Sequence, residues 1–238
     1  MVGLRKMKQF VLQSHKDVIE AVRWYGFLPF FANEIDGFSI EEMTPARYWF
    51  TEEPGAWEWK GPAISEGDCV YGKFFAKKAG FVSNKWFPDF ANVRRDGYDF
   101  EARFEDGLAT HHDQYLYNLI ASRHSILSKD AKILGGYMKP RTSSRDEWKP
   151  RKGFDTEITK LQMLTYVITS NFEYEISKSG QPYGWGLSRY ATPEEYLGKR
   201  FTSAVYKYTP EKSRARILKH LKQVLPEAEE ASLLRLIG

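Results

Sequence analysis

Between residues 110 and 190 the apolar positions recur first at helical and then at strand spacing, and this succession constrains the fold more than any other feature of the chain. Thr110 is placed to cap a helix carrying Leu116, Leu119 and Ile120, and Ser128 to cap a short helix ending at Gly135 and Gly136. A third helix begins at Asp155 and carries Ile158, Leu161, Leu164, Thr165 and Ile168 on one face. Residues 171–176 and 183–190 then read as two strands joined by a turn over 177–182.

Three helices followed by a hairpin is the order of a winged helix, a helix-turn-helix unit with a β wing. Ahead of it, Ser14 caps a helix whose third position is Asp17; Val18, Ile19, Val22 and Tyr25 recur until Gly26 and Pro29 end it. Residues 70–75 and 80–83 form two strands joined by a turn over 76–79. After the hairpin, Thr192-Pro193 and Thr209-Pro210 open further helices, the second bearing Ile217, Leu218, Leu221, Val224 and Leu225, and Leu233, Leu234 and Ile237 close the layer. The expectation is an α+β fold in three parts. These are an aromatic-rich α/β region over 1–106, a winged-helix unit over 107–192 containing a basic loop at 137–153, and a C-terminal helical layer over 193–238. No internal repeat stands out.

Cys69 is the sole cysteine, so an internal disulfide is excluded and a buried, reduced thiol is expected. His15, His111, His112, His124 and Cys69 show neither Cys-x-x-Cys nor His-Glu-x-x-His spacing, so neither metal nor cofactor is expected. With no apolar run suited to a signal peptide or a membrane span, the cytoplasm is the expected location and a membrane is not an expected partner. A net charge of +4 permits an anionic partner. Acids dominate residues 34–58, which therefore should not meet phosphate.

The most basic segment is the 137–153 loop, where Lys139, Arg141, Arg145, Lys149, Arg151 and Lys152 face only Asp146 and Glu147. Placed just ahead of the third helix, it suits either a phosphate backbone or a solvated insertion. At about 100° per residue, Thr156, Thr159, Lys160 and Met163 project away from the apolar face, as DNA contacts or as an ordinary wet face, whereas Gln162 falls nearer the packed side. Glu58, between Trp57 and Trp59, and Asp96, beside Arg94 and Arg95, are the acid-base candidates, the alternative for Glu58 being a carboxylate that points outward between two packed rings. Trp57, Trp59 and Trp86 with Lys73, Arg94 and Arg95 are candidates to line a pocket, the alternative being an aromatic core under solvated lysines.

Several runs carry a family resemblance: residues 55–62 (Gly-Ala-Trp-Glu-Trp-Lys-Gly-Pro), 71–75, 78–83, 86–90 (Trp-Phe-Pro-Asp-Phe), 154–156 with 161–163, and 183–186 (Tyr-Gly-Trp-Gly). Over roughly residues 14 to 198 the chain resembles AlkZ-related bacterial proteins, distant relatives of the winged-helix DNA glycosylases of the AlkZ/YcaQ type, which excise alkylated or crosslinked bases. The resemblance implies tandem winged helices and a DNA-repair setting. Those glycosylases carry a Gln-x-Gln or Gln-x-Asp pair soon after the first helix. Here that stretch is Gly26-Phe27-Leu28-Pro29-Phe30-Phe31, and no Gln in the chain is followed two residues later by Gln, Asp or Glu. The family's catalytic residues therefore carry over to no position. The leading expectation is a winged-helix protein that binds duplex or damaged DNA without that chemistry. A base-excision enzyme with a divergent site at Glu58 is one alternative; a protein-interaction module presenting Met163 and Val167 is the other.

Overall fold

The computed structural model describes residues 7–49, 54–140, 149–176 and 182–238, with the side chains of 175–176 and 182–185 outside the description. Capping sets the start of the first helix, α1 (His15–Tyr25): Ser14 Oγ accepts the Asp17 N–H and the Asp17 carboxylate accepts the Gln13 amide in return. Gly26 ends it at φ 78, where a Cβ would lie 2.5 Å from the Trp86 ring, so glycine is required both for conformation and for room. The chain passes into β1 (Phe27–Pro29), α2 (Ile40–Met43), a 3-10 turn (Ala46–Tyr48), α3 (Lys60–Glu66), β2 (Cys69–Phe75) and β3 (Lys78–Ser83). The β2–β3 turn is tighter than the four residues expected. Ala76 and Lys77 both take positive φ, 47° and 67°, as a two-residue hairpin demands to match strand twist.

Next come α4 (Phe87–Arg95), α5 (Phe100–Glu105), α6 (His111–Ala121), β4 (Ile126–Leu127), α7 (Ser128–Leu134), α8 (Phe154–Met163), β5 (Ile168–Ile176) and β6 (Pro182–Ala191). The chain closes with α9 (Pro193–Leu197), α10 (Lys199–Thr202), α11 (Pro210–Val224) and α12 (Glu230–Ile237). Thr110 and Asp113 form a reciprocal capping box on α6. Two expectations change. Ser128 is the first residue of α7, not its cap. The third helix stops at Met163 because Thr165 turns left-handed at φ 61, a strained conformation for a β-branched residue, and Ile168 belongs to β5.

All six strands form one antiparallel sheet in the order β1-β3-β2-β5-β6-β4. That order is a palindrome in topology. Helix, strand, two helices and two strands occur twice, as α1 to β3 and again as α6 to β6, each with its first strand against its third and its third against its second. The halves join where Tyr71 of β2 meets Thr169 of β5. Both leading helices have 11 residues, and both open on a capping Ser or Thr followed by His-x-Asp, Ser14 to Asp17 and Thr110 to Asp113. The sequence reading found no repeat because the match lies in topology and caps rather than in side chains. The 171–190 hairpin is correspondingly not a free flap, since β5 pairs with β2 along its other edge.

Two apolar clusters follow this division. The larger gathers Val22, Phe27, Phe30, Phe74, Phe81, Phe87 and Phe90 with Phe201, Ile217, Leu221 and Leu233 from the C-terminal helices. Its rings meet tilted or edge-on, Phe74 lying 5.8 Å from Phe87 and 5.9 Å from Phe90. The smaller holds Phe100, Leu116, Ile120, Phe154, Ile158, Leu161, Tyr166 and Tyr190. Cys69 is buried and free. Among the described residues no helix is long and apolar enough to cross a membrane.

Candidate functional site

Gly153, at φ 98, turns the chain from the basic loop into α8. Ile158 and Leu161 hold that helix in the smaller core, and Gln162, also buried, accepts the Lys73 amide at 2.7 Å and so ties α8 to β2. Between α8, the β2–β3 hairpin and α5 lies a groove of about 650 Å³. Thr156, Thr159, Lys160 and Met163 line one side; Lys73, Lys77 and Arg103 line the other, and Asp155 is the single acid in the lining.

The groove's charges differ in how far they are already engaged. Lys73 Nζ donates to Thr159 Oγ1 at 3.2 Å, and that hydroxyl donates to the Asp155 carbonyl at 2.6 Å. Thr159, expected outward, is therefore buried beneath the lysine, because its hydroxyl back-bonds to the preceding turn. Lys77 makes no ion pair among the described residues and occupies a left-handed position where Gly or Asn is favoured. Arg103 Nε is closed off from solvent with no hydrogen-bond partner among the described residues. Lys160 is paired with the buried Asp113 at 2.6 Å.

Burial by itself raises the Asp113 carboxyl, but hydrogen bonds from Lys160 and Thr110 prevail and hold it below its ordinary value of 3.8. A carboxyl with a depressed folded pKa contributes stability that is complete above the unfolded value and lost as pH falls through the folded one. Asp113→Asn is therefore expected to flatten the acid limb of a melting-temperature profile, at and below the ordinary carboxylate pKa. An acid limb identical to that of the parent protein rejects this role.

Of the basic loop, Lys139, Lys149, Arg151 and Lys152 are described, and Arg141 and Arg145 lie outside the described residues. Lys149 and Lys152 are exposed just before α8. Arg151 lies over the Tyr115 ring at 4.0 Å, which fixes its guanidinium on α6.

The pocket candidates do not converge. Trp59 is buried against Tyr48, and Trp57 stacks on Phe30 at 5.0 Å. Trp86 stacks on His220 at 4.5 Å. Arg94 donates to the carbonyls of Phe74 and Leu236. Arg95, 1% exposed, forms an ion pair with Glu194 at 2.7 Å. Only Lys73 of this group reaches the groove. Glu58 is exposed and accepts the Gly55 amide at 2.8 Å; burial acts instead on Lys60, set 4.9 Å from the Trp57 ring and 4.6 Å from Phe172, and draws its ammonium down to about 8. Val167, expected outward, is buried because it follows the turn into β5 rather than continuing the helix.

Lys77 and Arg103 escaped the sequence reading. Lys77 carried only a local signal, a cation at a hairpin tip, and Arg103 carried none, since α5 comes to the groove through tertiary packing. The acid-rich segment is engaged elsewhere: Glu34 pairs with Arg235 of α12, Glu41 accepts the Ala32 amide and Glu42 the Gly37 amide. Among the described residues no cluster of His, Cys, Asp and Glu is grouped to hold a metal.

Compared with known proteins, the chain matches no curated protein and no solved structure. A family model described as AlkZ related matches residues 12–238, nearly the whole length, and the chain therefore belongs to the AlkZ-related family.

Proposed function

We propose that this protein is a tandem winged-helix, nucleic-acid-associated member of its family that holds duplex or damaged DNA along the α8 groove and lacks the Gln-x-Gln/Asp chemistry of the AlkZ-type glycosylases. The observation that carries the reading is the groove itself, where Lys73, Lys77, Arg103 and Lys160 meet the helix preceded by the basic loop. Cations from separate elements on one face are what phosphate recognition needs. The twice-repeated element order, with the third strand between the other two, supports the tandem winged-helix reading. At the place of the glycosylases' polar pair, Phe27, Leu28 and Phe30 are buried, with no side chain able to orient a water.

The test is a titration of plain and alkylated duplex across a range of salt, followed by an assay for abasic sites. We expect binding that weakens steeply with salt and no base release. Absence of binding at low salt overturns the DNA reading, and abasic sites formed by the purified protein would replace it with an active glycosylase of divergent site.

A further inference from the structure

Residues 199–222 contain eight Lys or Arg against a single acid, Glu211, although the whole chain carries only +4, so the remainder of the molecule is net negative. Most of this charge lies on α11, a helix roughly 22 Å long at 1.5 Å per residue. Ser213, Ile217 and Leu221 bury one face of it. On the opposite side Lys212, Arg216, Lys219 and Gln223 are all exposed and fall within an arc of about 60°. At the start of the helix the Tyr208 ring is surrounded by cations, with Lys207 at 5.7 Å, Lys212 at 4.6 Å and Arg216 at 4.7 Å. Arg216 is shared with Asp89 at 3.2 Å and Lys222 with Glu230, but Lys207, Lys212 and Lys219 have no ion pair among the described residues.

This ridge is connected to the α8 groove through a few contacts. Tyr206, two residues before Tyr208, donates to the Tyr98 carbonyl at 2.8 Å and accepts from Arg95 at 3.0 Å. Arg95 in turn donates to the Thr165 carbonyl, next to Leu164 of the groove lining. Tyr98 leads into α5, which supplies Arg103.

We propose that the exposed ridge of α11, with Lys207 and Tyr208 at its head, is a second polyanion-binding surface that takes the sugar–phosphate backbone of duplex DNA beyond the stretch held at α8. The inference rests on the duplex reading of the groove. Ammonium groups on flexible stems act as point charges that track a backbone without reading bases, and their strength comes from released counterions. A lipid surface fits less well, because Ile217 and Leu221, on the apolar side of α11, are sealed in the core and cannot enter a bilayer.

The experiment compares wild type, the ridge variant Lys207→Gln/Lys212→Gln/Lys219→Gln and the groove variant Lys73→Gln/Lys77→Gln by fluorescence anisotropy on a duplex of about 30 base pairs at several salt concentrations. Melting curves confirm folding, since all three ridge positions are exposed. The ridge variant is expected to bind on the order of a hundredfold more weakly near physiological salt, with the log–log salt slope shallower by about 2.7. A ridge variant with the wild-type slope, beside a groove variant that has lost affinity, overturns the ridge and leaves the groove standing. Loss in the ridge variant alone keeps the ridge and overturns the groove. Wild type that ignores duplex but binds vesicles containing phosphatidylserine overturns both and assigns the ridge to membranes.

Discussion

Arg95→Met should lower the melting temperature by on the order of 10 °C, from a stability loss of about 3–5 kcal/mol. The guanidinium is 1% exposed and serves three elements at once: it pairs with Glu194 of α9 at 2.7 Å, donates to the Thr165 carbonyl at 2.8 Å and to the Tyr206 hydroxyl at 3.0 Å. The Tyr166 ring lies 4.5 Å away and the Phe201 ring 5.3 Å away, so part of the guanidinium's lost hydration is replaced by aromatic faces. Burial, the largest single influence, would lower the arginine's pKa; the charges and hydrogen bonds of Glu194 and Tyr206 together outweigh it and raise the value, which keeps the group ionised. Removing it takes the donor from the buried Thr165 carbonyl and the cation from the partly buried Glu194 carboxylate. Thr165 also loses a contact that holds its left-handed turn between α8 and β5. Lysine is not an adequate replacement, since one ammonium cannot reproduce the fork. Glu194→Gln keeps an oxygen that can accept from the guanidinium but leaves the buried cation without its counter-charge, so it too is expected to lower the melting temperature. A melting temperature for Arg95→Met within 2 °C or so of the parent, on a scale of about 2–4 °C per kcal/mol, would show that the pair contributes little.

The second large effect concerns affinity. Replacing Lys73, Lys77 and Arg103 together with Gln should weaken duplex binding on the order of a hundredfold near physiological salt and make the log–log salt slope shallower by about 2.7. Lys160 is left in place because its ammonium already serves Asp113, and its removal would confound binding with the α6 cap. Within the set, Arg103 is expected to matter most. Its planar guanidinium can offer two parallel N–H groups to one phosphate, whereas each lysine offers only a point charge. Arg103→Lys should therefore recover only part of the affinity. Full recovery by lysine would mean that only charge counts there. An unchanged slope for the triple variant would remove the groove as the binding face.

Local signals in the chain were strong wherever one residue type performs one backbone task. Ser14, Thr110, Thr192 and Thr209 each cap the helix they precede, Gly26 ends α1, and the strand runs at 70–75 and 171–176 fall within β2 and β5. Helical periodicity directs Thr156, Lys160 and Met163 away from the apolar face of α8, and they line the groove, while Gln162 is buried on the packed side. Thr159 went astray because helical projection counts angle alone, whereas its hydroxyl bonds the preceding turn and lies under Lys73. The tryptophans and arginines proposed as a pocket part in space because each is engaged by a different partner: Trp59 by Tyr48, Trp57 by Phe30, Trp86 by His220, Arg94 by the Phe74 and Leu236 carbonyls and Arg95 by Glu194.

Caps, strand runs and the missing Gln-x-Gln/Asp pair depend on neighbours within a few residues, so the amino-acid order alone determined them. Long-range pairing decided the rest: β2 meeting β5 at Tyr71 and Thr169 made two half-sheets into one, and the approach of α5 and the β2–β3 hairpin to α8 gathered the groove's cations. The physical reason is that a helix or strand period records which face is apolar but not which other apolar face will cover it. That choice is made by the packing of the whole chain.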